Sequence, residues 1–129
     1  MIVDSSALMA VLNREPEADA VLEAMAAAPT TMSAATWVEV GIVADARSTA
    51  HGERLDRILT ALEVEVVPVT QHHGAVARAA YRRFGRGSGS AARLDYGDCF
   101  AYALAITTGE PLLFVGDDFT RTDVTPALR

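Results

Sequence analysis

The sequence predicts an α/β fold in which a mainly parallel central sheet is flanked by helices on both faces. Short apolar segments typical of strands alternate along the chain with segments that have helical spacing. No internal repeat or linker interrupts this order, and 129 residues is the length of one domain. Residues 1–129 are therefore expected to form a single domain, whose ligand site lies beyond the carboxyl ends of its strands.

The helices are predicted from apolar residues at helical spacing and from residues that favour helix ends. Pro16 suits the first turn of the second helix, while Ser33 and Thr70 can cap the third and the fifth. Gly109 is placed to end the sixth helix, most of which is apolar. The six predicted helices span residues 6–12, 16–27, 34–47, 51–63, 71–84 and 96–107.

Strands are predicted where short apolar segments separate these helices. The clearest are the first segment of the chain and the segment that follows the sixth helix. The predicted strands span residues 1–4, 30–32, 64–69, 111–115 and, as a last short one, 123–125. A loop rich in Gly and Ser over residues 85–90 separates the fifth and sixth helices.

The composition predicts a cytoplasmic protein with no membrane segment. The sequence has no uninterrupted apolar stretch of the roughly 18 residues that a membrane span requires. Residues 1–4 enter an apolar strand without the basic region of a signal peptide. The single cysteine, Cys99, cannot form an internal disulfide, which agrees with a reducing compartment. We expect Cys99 to be a small core residue on the sixth helix.

The net charge of −6 makes the chain a poor non-specific binder of nucleic acid, because contacts to phosphates drive that affinity. The stretch from Arg78 to Leu94 is an exception, since it holds five arginines and no acid. Such a stretch can guide a phosphate backbone, although it can also be an ordinary solvated helix face and loop. The arginines that we expect to guide a nucleic-acid backbone are Arg82, Arg83, Arg86 and Arg93.

Acidic residues follow strands or begin helices at several points of the chain. Asp4 follows the first strand, and both Asp117 and Asp118 follow the last clear strand. Glu39 lies in an apolar part of the third helix, and Asp98 lies in the first turn of the sixth, which Asp95 can cap. Taken singly, each acid is explained as a cap, a partner of the helix dipole, a solvent-facing side chain or a turn residue. Their joint placement predicts carboxylates that converge at one edge of the sheet.

Converging carboxylates repel one another, so they take up protons or bind a cation. Oxygen ligands without Cys or His favour Mg²⁺ or Mn²⁺. The three histidines, His51, His72 and His73, lack the spacing typical of zinc ligands. A divalent cation held in this way polarises phosphoryl oxygens and activates a water, which suits hydrolysis of a phosphodiester.

Three motifs resemble those of PIN-domain proteins of the VapC type, and their order along the whole chain matches that family. The motifs are Ile2-Val3-Asp4-Ser5-Ser6-Ala7-Leu8, then Leu94-Asp95-Tyr96-Gly97-Asp98-Cys99 with Ala101-Tyr102-Ala103, and last Leu113-Phe114-Val115-Gly116-Asp117-Asp118-Phe119 with Thr122-Asp123. The resemblance implies a PIN-like fold and a Mg²⁺-dependent endoribonuclease that cleaves RNA with a metal-activated water. It further implies that the protein is the toxin of a toxin–antitoxin pair.

The resemblance also implies a set of site residues and partners. Asp4, Glu39 and Asp98 match the family's metal-binding acids, and either Asp117 or Asp118 matches its fourth acid. Ser6 matches a position at which a small hydroxyl supports the site. The implied partners are the RNA substrate, a second copy of the chain and a cognate VapB-like antitoxin, whose tail can place a basic residue among the acids.

Three alternatives remain open from the sequence. A housekeeping PIN-type nuclease would process RNA without an antitoxin, but the short chain without appended domains favours the toxin. A phosphotransfer or phosphatase-type protein would also have an acidic pocket. Against it, Ser6 occupies the position where a haloacid-dehalogenase-like phosphatase has its second Asp, and the chain has no Lys for a receiver domain. A catalytically dead PIN-like scaffold would have no reason to keep converging acids.

Overall fold

The computed structural model describes residues 1–128 of the chain. Within these residues the elements follow the predicted order of strands and helices. The strands are β1 (Ile2–Val3), β2 (Thr31–Ser33), β3 (Glu65–Val67) and β4 (Leu112–Leu113). The helices are α1 (Ser5–Leu12), α2 (Ala18–Ala27), α3 (Ala34–Arg47), α4 (Thr49–Ala61), α5 (Gln71–Phe84) and α6 (Asp98–Thr108).

The four strands form one parallel sheet in the order β3-β2-β1-β4. Ile2 of the central strand β1 lies beside Thr31 of β2 on one side and beside Leu112 of β4 on the other. Parallel neighbours require crossover connections, and helices provide each of them here. The predicted α/β fold with a parallel sheet is confirmed.

Alternate residues of the strands face opposite sides of the sheet and enter two separate cores. Ile2 and Leu112 pack with residues of α5 and α6, among them Phe84. Val3 and Leu113 pack on the other side with residues of α1 to α4. This period of two is what buried strands require when helices cover both faces. The prediction that helices flank both faces is therefore also confirmed.

The predicted helix ends are mostly confirmed. The Ser33 side chain accepts a hydrogen bond from the Ala35 N–H at 3.3 Å, and Thr70 accepts one from the His73 N–H at 3.0 Å. Gly109 ends α6 in the left-handed region, with φ of 70°. The second helix begins two residues later than predicted, at Ala18. None of the helices within residues 1–128 combines the length and apolar character needed to cross a membrane.

The strands are shorter than predicted, and the expected last strand over residues 123–125 is wrong. The strand β3 ends at Val67, which pairs with Ser33, because its partner β2 ends there and α3 begins at Ala34. Near the end of the chain, Leu112 forms only an isolated parallel bridge with Pro126. The bridge consists of two hydrogen bonds, from the Leu112 N–H to the Thr125 carbonyl at 2.8 Å and from the Ala127 N–H to the Leu112 carbonyl at 2.9 Å.

Candidate active site

The order in which the chain adds strands to the sheet reverses at β1. The strands β2 and β3 lie on one side of β1, and β4 lies on the other. In open α/β sheets a crevice forms beyond the carboxyl ends of the strands at such a switch point. Asp4 immediately follows β1, and its N–H donates to the Leu113 carbonyl of β4 at 2.9 Å. Asp4 is therefore held at the mouth of this crevice.

The two carboxylate oxygens of Asp4 have different roles. Oδ2 accepts a hydrogen bond from the Ser6 N–H at 3.0 Å and so caps α1. Oδ1 is buried and has no hydrogen-bond partner. Burial raises the pKa of Asp4 to about 6, with a further contribution from the charge of Glu39, while hydrogen bonds from Ser6 and Ser5 oppose the shift. Capping therefore explains only one of the two oxygens.

Glu39 is held between α1 and the start of α6. The Ser5 hydroxyl donates to its Oε1 at 2.9 Å. On the other side its carboxylate lies against Gly97, where an added Cβ would overlap it. Glu39 therefore does not simply face water, which was the alternative interpretation of its position. A Cβ at residue 97 would displace the Glu39 carboxylate from this position.

Asp98 begins the buried helix α6 and forms a reciprocal pair with Asp95. The Asp98 N–H donates to Asp95 Oδ1 at 2.9 Å, and the Asp95 N–H donates to Asp98 Oδ2 at 3.0 Å. The residue directly before α6 is Gly97, which makes no side-chain cap, but Asp95 accepts the hydrogen bond from the first N–H of the helix, as a cap would. Burial raises the pKa of Asp98 to about 8, and the charges of Asp4, Asp95 and Asp118 add to the shift.

The loop after β4 carries the two candidates for the fourth acid, Asp117 and Asp118. The charge of Asp118 contributes to the raised pKa of Asp98. The Asp117 carbonyl accepts hydrogen bonds from Thr120, which close a turn, and both the Asp117 and the Asp118 side chains are exposed. The start of this loop is fixed to α1, because the Val115 N–H donates to Ser6 Oγ at 3.1 Å.

The carboxylates interact electrostatically in pairs and do not form a complete set of metal ligands. The negative charge of Glu39 raises the pKa of Asp4. The negative charges of Asp4 and Asp118 in turn raise the pKa of Asp98. Within residues 1–128, no three acidic, His or Cys side chains lie close enough together to enclose a metal ion. A buried orphan oxygen on Asp4, with only oxygen ligands around it, nevertheless fits a hard divalent cation. Mg²⁺ in particular keeps several waters and needs few protein ligands.

The four arginines expected to guide a nucleic-acid backbone are all exposed. Arg83 already has protein contacts, because it lies 3.7 Å from Asp123 Oδ2 and stacks over the Phe84 ring at 4.5 Å. Asp123 also accepts a short hydrogen bond of 2.6 Å from the Tyr102 hydroxyl. Arg83 therefore helps to hold the end of α5 against the chain's last turn. A nucleic-acid contact of these arginines stays a prediction.

Sequence reasoning missed the roles of two residues beside these acids. Ser5 orients Glu39, and Gly97 makes room for it. A glycine directly before an acid at a helix start is a signal that could have identified Gly97. The contact between Ser5 and Glu39 depends on how α1 and α3 pack.

Known proteins resemble this chain over nearly its full length. The family model described as the PIN domain matches residues 1–124. The chain is 48% identical over 130 residues to ribonuclease VapC28 of Mycobacterium tuberculosis, which covers 99% of this chain and 98% of that protein.

Two solved structures share the fold. VapC20 of Mycobacterium tuberculosis, described as a toxin that cleaves the sarcin–ricin loop, matches with a TM-score of 0.70 at 18% identity, over 97% of this chain and 98% of that one. A toxin–antitoxin complex from Klebsiella pneumoniae matches with a TM-score of 0.69 at 21% identity, over 95% of this chain and 92% of that one. The resemblance seen in the three sequence motifs is thus confirmed by independent comparisons. The chain belongs to the PIN-domain family and, within it, to the VapC ribonucleases.

Proposed function

We propose that this protein is a Mg²⁺-dependent endoribonuclease, built from residues 1–129 as one PIN domain, and the toxin of a toxin–antitoxin pair. The observation that carries the metal dependence is the orphan Oδ1 of Asp4, buried at 1% exposure beside other carboxylates. A buried polar atom without a partner is costly unless something satisfies it. A cation would satisfy Oδ1 and offset the repulsion between the acids. Because RNA is the substrate, we place this activity in the cytoplasm.

Asp4 and Asp98 are the ligands that we propose for Mg²⁺, with Mn²⁺ as a chemical substitute. Glu39 and the fourth acid would complete the site directly or through waters. The position of Asp118, whose charge acts on Asp98, supports it over Asp117 as the fourth acid. When bound, the cation would polarise the scissile phosphate and lower the pKa of a water.

The remaining residues of the site have positioning roles in this proposal. Ser5 and Gly97 fix the Glu39 carboxylate from two sides. Asp95 restrains Asp98 through its backbone N–H, leaving one Asp98 oxygen outside that pair. Ser6 holds the loop after β4 against α1, which keeps Asp118 near the crevice. Such prior positioning lowers the cost of assembling the reacting groups.

Two exposed apolar surfaces support the proposed protein partners, a VapB-like antitoxin and a second copy of the chain. The first is the face of α3 with Trp37, Val38 and Ile42, of which Ile42 is 64% exposed. The second is a groove of about 450 Å³ between α5 and α6, which Tyr81 and Tyr96 line. Exposed apolar patches of this kind are typical of interaction surfaces.

The metal-dependent cleavage is tested by assaying purified protein on RNA with Mg²⁺, Mn²⁺ or EDTA. We expect wild-type cleavage with either metal and none in EDTA, and loss of cleavage in Asp98→Asn. Asp118→Asn should reduce the rate more than Asp117→Asn. Asp19→Asn, a change of an exposed acid on α2, serves as the matched control. Equal activity of Asp98→Asn, or activity in EDTA, would contradict the proposal.

The partner surfaces are tested with Ile42→Asp and Tyr96→Asp. Light scattering should give the mass of a dimer for the wild type, and one of the two variants should give that of a monomer. The other variant should bind the antitoxin less tightly. The toxin role itself predicts growth arrest on induction, relieved by co-expression of the antitoxin. A monomeric wild type would contradict the proposed dimer. Normal growth on induction of active enzyme would contradict the proposed toxin role.

A further inference from the structure

A basic pocket of about 410 Å³ lies on the surface where the ends of α1, α3 and α4 meet. Arg14 lies just after α1, Arg47 ends α3, and His51, Arg54 and Arg57 lie on α4. Among the described residues, no acidic side chain lines this pocket. Four of the eleven arginines of a chain with net charge −6 therefore converge at one place.

These arginines are not neutralised by the protein. Within residues 1–128, none of the four has a carboxylate oxygen within the 4.0 Å of an ion pair. Arg54 has a structural role, because it donates to the Leu12 carbonyl at 3.1 Å and to the Val11 carbonyl at 3.4 Å. Arg14, Arg47 and Arg57 are exposed. Their like charges repel unless an anion lies between them.

The chemistry of the pocket favours phosphate over a protein partner. The guanidinium group has a rigid set of donors that matches phosphate oxygens in pairs. The lining includes none of the large exposed apolar side chains found on the face of α3. A surface pocket lined by several arginines and no acid is typical of sequence-independent binding to a nucleic-acid backbone.

We propose that this basic pocket binds the phosphate backbone of the RNA substrate at a point remote from the acids. The proposal rests on the proposed ribonuclease function. The helix α3 carries both Glu39 and Arg47, and their offset of eight residues corresponds to about 12 Å along its axis. That distance corresponds to roughly three to four stacked nucleotides. A long or folded RNA can reach both places, whereas a very short one reaches only the acids.

The pocket therefore raises affinity for long RNA without taking part in cleavage. Replacing Arg47 and Arg57 by Gln should raise KM for a long RNA and leave kcat unchanged. The same change should leave the cleavage of a very short oligonucleotide as it is. Because two phosphate contacts are lost, the slope of log affinity against log salt should fall by about 1.4 for a single strand.

Binding is measured by fluorescence anisotropy in the Asp98→Asn background, so that the readout does not depend on cleavage. The probes are a labelled RNA of about 30 nucleotides, which is much longer than the span above, and one of about two nucleotides, which is shorter than it. Arg47→Gln/Arg57→Gln should bind the long RNA about tenfold more weakly or worse. Arg47→Lys/Arg57→Lys, which keeps the charge, is the matched control and should retain most of the affinity. Thermal unfolding confirms that each variant is folded.

Three results would overturn the proposal. The first is equal affinity of the Gln variant and its parent for the long RNA. The second is normal RNA binding together with weaker binding of the antitoxin, which would assign the pocket to a protein. The third is stabilisation by inorganic phosphate, lost in the Gln variant, without any effect on RNA, which would assign it to a free anion. Absence of cleavage by the wild type would refute the proposed function but would leave the anisotropy result readable.

Discussion

Raising the pH should destabilise the metal-free protein, because Asp4 then has to ionise inside the fold. Its pKa is about 6 in the folded protein against 3.8 for an ordinary aspartate, chiefly because of burial. Between these values the folded state binds the proton more tightly than the unfolded state does. The free energy of unfolding therefore falls as the pH rises through this window. This stabilisation is complete below the unfolded pKa and is lost above the folded one.

The size of the effect follows from the shift. Each pKa unit corresponds to about 1.4 kcal/mol, so the full contribution of Asp4 is about 3 kcal/mol. About 1.4 kcal/mol of it should be lost between pH 5 and pH 8. Asp98, with a pKa of about 8, acts in the same direction over the same range. Binding of Mg²⁺ should restore stability at pH 8, by roughly 2.7 kcal/mol at a concentration 100 times Kd.

Urea unfolding followed by circular dichroism, at pH 5 and pH 8 with EDTA or Mg²⁺, measures these changes. The matched variant is Asp4→Asn, because asparagine can also cap a helix but carries no charge. In EDTA, the free energy of unfolding of the variant minus that of the wild type should increase by about 1.4 kcal/mol from pH 5 to pH 8. Mg²⁺ should stabilise the variant much less. Parallel pH profiles of variant and wild type, or a wild type that gains stability in EDTA towards pH 8, would refute the reasoning.

Two substitutions and one chemical modification test further features of the structure. Gly97→Ala should lower the rate of RNA cleavage on the order of 100-fold, because the new Cβ displaces Glu39, while a thermal melt shows whether the fold survives. Tyr102→Phe removes the hydrogen bond to Asp123 and should lower the free energy of unfolding by about 1–2 kcal/mol in urea, with cleavage unchanged. Burial raises the pKa of the Cys99 thiol to about 11, so alkylation with iodoacetamide at pH 8 should occur only in denaturant; rapid reaction of the folded protein would contradict this burial.

Local signals made much of the fold and part of the site predictable. Asp4 is placed by two local features, since the residue after a strand is also the cap of the next helix. The position of Asp98 could be predicted because Asp95 lies three residues before it and because the apolar helix α6 begins there. Ser33 and Thr70 cap their helices as predicted, because capping depends on neighbours two or three residues away.

Contacts between distant segments were beyond sequence reasoning. Glu39 meets Gly97 only because α3 packs beside the start of α6. The choice between Asp117 and Asp118 depends on the path of one loop, which Gly116 opens with φ of 100°. The basic pocket was also missed, since Arg14 and Arg57 are far apart in the chain. A search for contiguous basic stretches finds residues 78–94 and not a cluster that only the fold assembles.

The charges of the site explain how an acidic protein can act on an acidic polymer. With no cation bound, Asp98 retains its proton at neutral pH, since its pKa is about 8. The empty crevice is thus less negative than the number of acids implies. A divalent cation would compete with this proton, and its affinity should therefore rise with pH. The same step adds one net positive charge to the crevice and offers the RNA phosphates a cation, while the arginines that could hold RNA lie outside the crevice. Cleavage should accordingly require less Mg²⁺ at pH 8 than at pH 6. An equal requirement for Mg²⁺ at the two pH values would show that the raised pKa of Asp98 has no part in metal binding.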